Sequence, residues 1–195
     1  MNLRANLRAL PLATLPLLLL AGCASTPDTT QLVAESRQTA GGLIQTLGGE
    51  LKTAMTAGGP SQAISVCKDR APKIAAEAAA RTGMQIKRVS PKNRNPKGVP
   101  DAWESEALAG LEKRLAAGEK PETLDTHAVV DTPQGKVYRY AKALVTQPAC
   151  LGCHGPAENL SPDVKAKLAA EYPADKAIGY SAGMIRGVLS IQKAL

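Results

Sequence analysis

Phenylalanine is absent from this chain of 195 residues, and one tryptophan with four tyrosines supplies all of its aromatic content. A domain of this length buries a sizeable core, yet this core must be short of large flat side chains. The shortage leaves room for a flat apolar body of another kind. Histidine is equally scarce, with only His127 and His154, so an imidazole used at one site leaves a single spare. Charge of one sign is never concentrated. The 24 Lys and Arg and 17 Asp and Glu alternate along the chain, and the net +7 reads as solubility and mild attraction to anionic surfaces. Beyond residue 22 no apolar run approaches the roughly 20 residues a membrane-spanning helix needs.

The first 22 residues do carry a targeting pattern. Arg4 and Arg8 precede an apolar run from Leu10 to Leu20, interrupted by Pro11 and Pro16, and a small-residue site follows. That is the layout of an export signal. Leu20-Ala21-Gly22-Cys23 resembles the lipobox of bacterial lipoproteins, which implies cleavage before Cys23 and acylation of its thiol. The alternative is an ordinary secreted protein with a chance cysteine near the cut. Loss of Arg4 and Arg8 leaves 22 basic against 17 acidic residues, a net +5. Ala24, in place of an aspartate, resembles the sorting signal for the outer membrane. The small polar stretch to Thr30 reads as a tether. The expected organisation is therefore a leader over 1–22, a lipidated Cys23 with tether over 23–30, and one domain over 31–195. Export argues against a nucleic-acid partner and places the domain in the periplasm.

Four cysteines stand at 23, 67, 150 and 153, and the last two belong to Cys150-Leu151-Gly152-Cys153-His154. This is the attachment pattern of a c-type haem. Two thiols three residues apart reach two vinyl groups on one porphyrin edge, while the next imidazole ligates the iron. Two other readings compete. Cys150 and Cys153 form a disulfide in an oxidising compartment, or they join Cys67 and His127 or His154 around zinc. Zinc is the weaker of these, because no second closely spaced ligand pair exists.

With His154 on one side of the iron, the sixth ligand is open among His127, Met55, Met84, Met184, Cys67 or nothing. Cys67 is the cysteine left over after lipidation and thioether formation. Ile64, Cys67, Ala71, Ile74 and Ala78 recur at helical spacing and place its thiol on an apolar face. A buried thiol there is either a ligand or a small hydrophobe in the core. Met84 and Met184 sit in strand-like runs where packing explains them. His127, beside Val129 and Val130, reads as structural or exposed.

The remaining pattern predicts α+β. Apolar residues between Leu32 and Ala57 recur at helical spacing up to Gly58-Gly59-Pro60, and a second helix starts at Ser61, kinked or restarted at Pro72 and stopped by Gly83. Met84–Ser90 reads as a strand. Residues 91–100 hold three prolines and a glycine and must be a loop. Asp101 and Glu104 form a capping box before a helix with Trp103, Ala107, Leu108, Leu111 and Leu115 on one face. Two strands, 127–131 and 136–145, flank a turn at Thr132-Pro133-Gln134-Gly135. Ser161 caps a short helix opened by Pro162. Met184–Gln192 is the last strand. Helices first, then a hairpin and a late strand, argue for a mostly antiparallel sheet flanked by helices.

With these segments laid out, the chain from about Ser36 to Ile191 resembles a family of small c-type haem domains with a PAS-like sensor fold. Members occur as stand-alone cytochromes and as extracytoplasmic input domains of signalling proteins. The resemblance rests on Ala63-Ile64-Ser65-Val66-Cys67, Arg88-Val89-Ser90, Arg94-Asn95-Pro96, Pro100-Asp101-Ala102-Trp103-Glu104, and Cys150 through Gly155. It extends to Tyr172-Pro173-Ala174-Asp175, Gly179-Tyr180 and Ile185-Arg186-Gly187. It implies one covalent haem c with His154 and Cys67 as axial ligands. Met184 departs from the acidic residue that the family often places before Ile-Arg-Gly. Arg88, Arg94 and Asn95 are candidates for the haem propionates, because guanidinium forks match carboxylates; the alternative is a solvated basic loop.

Three function classes follow. A thiolate opposite His154 favours ferric iron and a low potential, which suits electron transfer or redox sensing with a separate partner protein. A small peroxidase needs an open iron position and an acid–base residue, for which His127 is the only spare imidazole. A gas sensor needs a ligand, here Cys67, that a diatomic molecule displaces.

Overall fold

The computed structural model describes residues 28–195; the leader, Cys23 and most of the tether lie outside the described residues. The first helix, α1 (Thr30–Ser65), begins two residues before the expected start. It breaks where the sequence predicts. Gly58 and Gly59 leave helical geometry, Gly59 at φ 72°, and the helix resumes at Pro60, whose missing N–H is harmless in a first turn.

Pro72 acts on the residues before it. Its ring lacks the N–H that the Lys68 carbonyl would use, and Val66–Arg70 widens into a π-helical turn whose Ala71 amide reaches back to Val66. Helix α2 (Ala71–Thr82) then restarts with Pro72 in its first turn and closes on Gly83 at φ 66°. This wide turn splits the stripe expected to run from Ile64 to Ala78. Ile64 packs with Leu160, Val164 and Leu168, whereas Ala71, Ile74 and Ala78 pack under the sheet, and Cys67 sits half-buried at the change-over.

Strand β1 (Gln85–Val89) starts after Met84, which is buried in the core beside it. The loop behind it is irregular apart from one turn at Pro96–Gly98, capped by the Asn95 side chain. Helix α3 (Ala102–Ala116) carries the expected capping box, with both reciprocal bonds at 2.9 Å. Glu104 does more than cap. It is fully buried, and its carboxylate also accepts from Ser190 Oγ at 2.6 Å and pairs with Lys87 Nζ at 3.0 Å and Arg139 at 3.2 Å.

Strands β2 (Asp125–Thr132) and β3 (Gly135–Val145) form the predicted hairpin, with Thr132 opposite Gly135. A single turn, α4 (Leu151–His154), and α5 (Pro162–Glu171) follow, and β4 (Ile185–Ala194) ends the chain. Two local expectations are corrected. The Ser161 hydroxyl bonds the Asp163 carboxylate and caps no backbone N–H, and Met184 lies before β4, exposed. The strands make one antiparallel sheet in the order β1-β4-β3-β2, so the expected α+β class holds. Helices α1 and α2 cover one face through Leu43, Leu47, Ile74, Tyr138, Tyr140 and Leu189. Helix α3 covers the other through Leu108, Leu111, Ala141 and Val188.

Candidate functional site

Strand β3 ends at Val145, and Thr146 turns the chain by exchanging backbone bonds with Gly183 and Met184. The Cys150–His154 segment follows at once as the α4 turn, closed by Gly155, whose amide donates to the Leu151 carbonyl at 2.9 Å. A Cβ on Gly155 would lie 2.6 Å from that carbonyl oxygen, so only glycine fits there. Cys150, Cys153 and His154 thus emerge from one short turn. Cys67, half-buried on the π turn, follows Ile64, which packs in one cluster with Cys153 and Tyr172. All three cysteines are free thiols. Among the described residues no three His, Cys, Asp or Glu side chains form a metal-binding group, so the zinc arrangement is not assembled. Burial pushes the Cys153 thiol up, and its sulfur lies 3.9 Å from the Pro60 carbonyl.

His154 is held from several directions. Its Nδ1 lies 2.7 Å from the Ala177 carbonyl, which can only accept, so Nδ1 carries the proton and Nε2 keeps its lone pair. Its carbonyl accepts from the Tyr180 amide at 2.9 Å, and the Tyr180 ring meets the imidazole edge-on at 6.4 Å. Burial, followed by the positive charges of Arg186 and Arg94, pushes the imidazole down to about 3. The result is a neutral, oriented nitrogen donor. A backbone carbonyl behind a ligating histidine is the usual way to fix its tautomer.

Arg94 supplies the frame. Its side chain is 9% exposed; it pairs with Asp175 at 3.0 Å and 3.1 Å, donates to the Cys153 carbonyl at 2.6 Å and reaches the Ala177 carbonyl at 3.4 Å. Asp175 in turn accepts from the Ala177 amide at 2.8 Å. One guanidinium therefore ties the Cys-x-x-Cys-His turn to the segment that orients His154. Asn95, the second propionate candidate of this loop, uses its side-chain oxygen on the Lys97 amide at 2.9 Å.

The third candidate, Arg88, lies elsewhere. It is half-buried on the α1-facing side of β1 and lines a cavity of about 390 Å³ together with Arg186 and Cys150. Leu43, Leu47 and Leu51 of α1 and Leu144 and Leu189 of the sheet form apolar walls. A second cavity, about 530 Å³ between α1 and α2, contains none of the expected site residues. Of the other sixth-ligand candidates, Met84 is buried in the core, Met55 and Met184 are exposed, and His127 is exposed on β2 with its ring 6.2 Å from Tyr138. Asp175, Tyr180 and Arg186 belong to stretches that carry the family resemblance, but the amino-acid sequence assigns neither them nor Ala177 to the site. The available signal for Arg186 is an arginine beside a glycine at the otherwise apolar start of β4, Ile185 to Leu189.

The donor set fits a flat apolar group with acidic substituents. Two thiols are available for alkylation and one imidazole nitrogen for a metal, and of these Cys150 borders an open, mostly apolar cavity that also carries Arg88, Arg186 and Glu122; His154, Cys153 and Cys67 do not line it.

Fold and site together define a class: a single α+β domain with a four-stranded antiparallel sheet, bearing a thiol–imidazole turn just beyond a central strand. The chain belongs to the Tll0287-like family, whose sequence profile matches residues 22–193. The crystal structure of the cyanobacterial heme-protein Tll0287 is similar, with a TM-score of 0.65 and 22% identity, covering 86% of this chain and 97% of that one. At that identity the likeness speaks for the fold. No curated protein matches the chain.

Proposed function

We propose that this protein is a monohaem c-type cytochrome-like protein of the periplasm, tethered through Cys23 to the outer membrane and working in electron transfer or redox sensing. The observation that carries the proposal is the His154 arrangement. A neutral imidazole with Nδ1 fixed on Ala177 offers Nε2 to iron, on the same turn as two free thiols. Cys150 and Cys153 are the residues that would hold the group covalently, through thioethers. The bound haem would supply one-electron exchange between ferric and ferrous iron. The chain's own share would be to hold the imidazole and to keep water from the cavity with Leu43, Leu47 and Leu51, and Cys67 of the π turn is the proposed second residue to hold the iron. The likeness to the cyanobacterial heme-protein Tll0287 and membership of the Tll0287-like family support this reading.

Pyridine haemochrome analysis and intact mass, on protein made with a c-type maturation system, test the attachment. One covalent haem is expected, and Cys150→Ala with Cys153→Ala abolishes it. A native protein lacking the mass increment of one haem overturns the proposal. Cys67→Ala is expected to convert a low-spin thiolate spectrum to a high-spin one; an unchanged spectrum removes Cys67 as ligand. Carbon monoxide separates the other readings. Tight binding by the wild-type ferrous protein favours a gas sensor or peroxidase, and absence of binding favours electron transfer.

A further inference from the structure

Arginines inside a fold are paired, and this one mostly obeys. Arg94 has Asp175, and Arg139 has Asp101 and Glu104. Arg186 and Arg88 are the exceptions. Among the described residues neither has a carboxylate partner, and Arg186 Nε is buried with no hydrogen-bond partner at all. Both line the same cavity as Cys150, which is mostly apolar and whose one acidic lining residue, Glu122, pairs with neither arginine. The two like charges sit close enough that burial and then Arg88 disfavour the charged form of Arg186. An arrangement of this kind is costly unless an anion completes it.

The backbone shows how Arg186 is directed there. Ile185 and Val188 both pack on the α3 side of the sheet, although strict alternation would put residues three apart on opposite faces. The pairing of β3 with β4 shifts register between Ala143 and Val145, and Gly187 adopts φ 148°. This is a bulge, the device by which sheets re-aim one side chain. Gly187 is locked in it, since a Cβ there would stand 2.3 Å from the Val89 carbonyl oxygen. Arg88, on the neighbouring strand, shares its face with Met84 and Ile86 and points to the α1 side.

We infer that Arg186 and Arg88 form a two-guanidinium site for the carboxylates of the group held in the cavity, which on the proposed function are the two haem propionates. The inference rests on that reading. It moves the anion-binding role from Arg94, whose Nε and Nη2 bind Asp175, Cys153 and Ala177, and from Asn95, whose side-chain oxygen binds the Lys97 amide, to a pair on neighbouring strands. Guanidinium forks match carboxylates in two-point bonds, so each propionate gains a charge-assisted partner while the repulsion between the arginines is relieved.

The test uses the matured holoprotein and the variants Arg186→Gln, Arg186→Lys and Arg88→Gln. Pyridine haemochrome comes first: a wild-type protein without covalent haem defeats the proposed function and leaves no propionate to bind. Given haem, resonance Raman spectra report hydrogen bonding at the propionates through their bending bands. The expected result is a shift of a propionate band to lower frequency in Arg186→Gln, partial restoration in Arg186→Lys, and a shift of the other band in Arg88→Gln. Arg88 is half-exposed, so that variant keeps the test decisive if Arg186→Gln fails to fold. Propionate bands identical to wild type in either folded Gln variant overturn the inference. So does a change confined to the axial-ligand bands, which would assign Arg186 to the Cys67 thiolate.

Discussion

Replacing Arg94 with methionine keeps most of the side-chain volume and removes the charge, which isolates what the guanidinium contributes. Arg94 and Asp175 are 9% and 10% exposed, so the loss strands a carboxylate in a poorly solvated place with the Ala177 amide as its remaining partner. The carbonyls of Cys153 and Ala177 also lose a donor. Removing one member of a buried pair costs about 3–5 kcal/mol. Against a total stability of about 5–15 kcal/mol, that is a large fraction. With a urea slope of about 1–3 kcal/mol per molar, the unfolding midpoint of the holoprotein is expected to fall by about 1–5 M. Arg94→Lys retains the charge but cannot bridge Asp175 and two carbonyls at once, so it lands between wild type and Arg94→Met. The double variant Arg94→Met with Asp175→Asn recovers part of the loss, because the uncompensated charge is gone. Circular dichroism against urea reads all four proteins. A loss below about 1 kcal/mol in Arg94→Met, or no recovery in the double variant, refutes the view that this pair clamps the site.

Three other outcomes can be checked by the same means. Asp125 lies in a buried position that by itself pushes its carboxyl up, but the Arg37 and Tyr140 hydrogen bonds outweigh burial and hold it below the usual carboxylate range. Its stabilising share is therefore present above about pH 4, the unfolded value, and is lost as pH falls through the lower folded value; in Asp125→Asn the acid limb of the stability curve is shallower. Gly187→Ala forces a side chain onto the Val89 carbonyl in a left-handed conformation, and a loss of about 2–4 kcal/mol in thermal melts is expected. Gly110→Ala provides the contrast: it lies inside α3 with nothing within 4 Å of the new Cβ, and a gain of about 0.5–1 kcal/mol is expected.

What residues settle among near neighbours was readable from the order of amino acids alone. The Asp101–Glu104 capping box, the Gly58-Gly59-Pro60 break, the Gly83 stop, the hairpin turn and the Cys150–His154 motif each depend on contacts spanning five residues or fewer. Their energies do not wait for the rest of the chain. The π turn at Val66–Arg70 was only half legible: Pro72 announced a disturbance, but the choice of a wide turn over a kink decides which core Cys67 borders, and that depends on packing. Arg94 shows the limit most clearly. As a basic residue in a loop it looked free for an anion, yet its partner Asp175 stands 81 residues away. Likewise Arg186 looked like one polar interruption in a strand. Placing β4 between β1 and β3, with a bulge at Gly187, set it beside Arg88 at the cavity edge. The sequence alone thus determined the local turns, the thiol–imidazole donor set and the α+β class. Tertiary structure alone decided which charges are paired within the fold and which are not, because pairing and burial over long separations exist only once the sheet has closed.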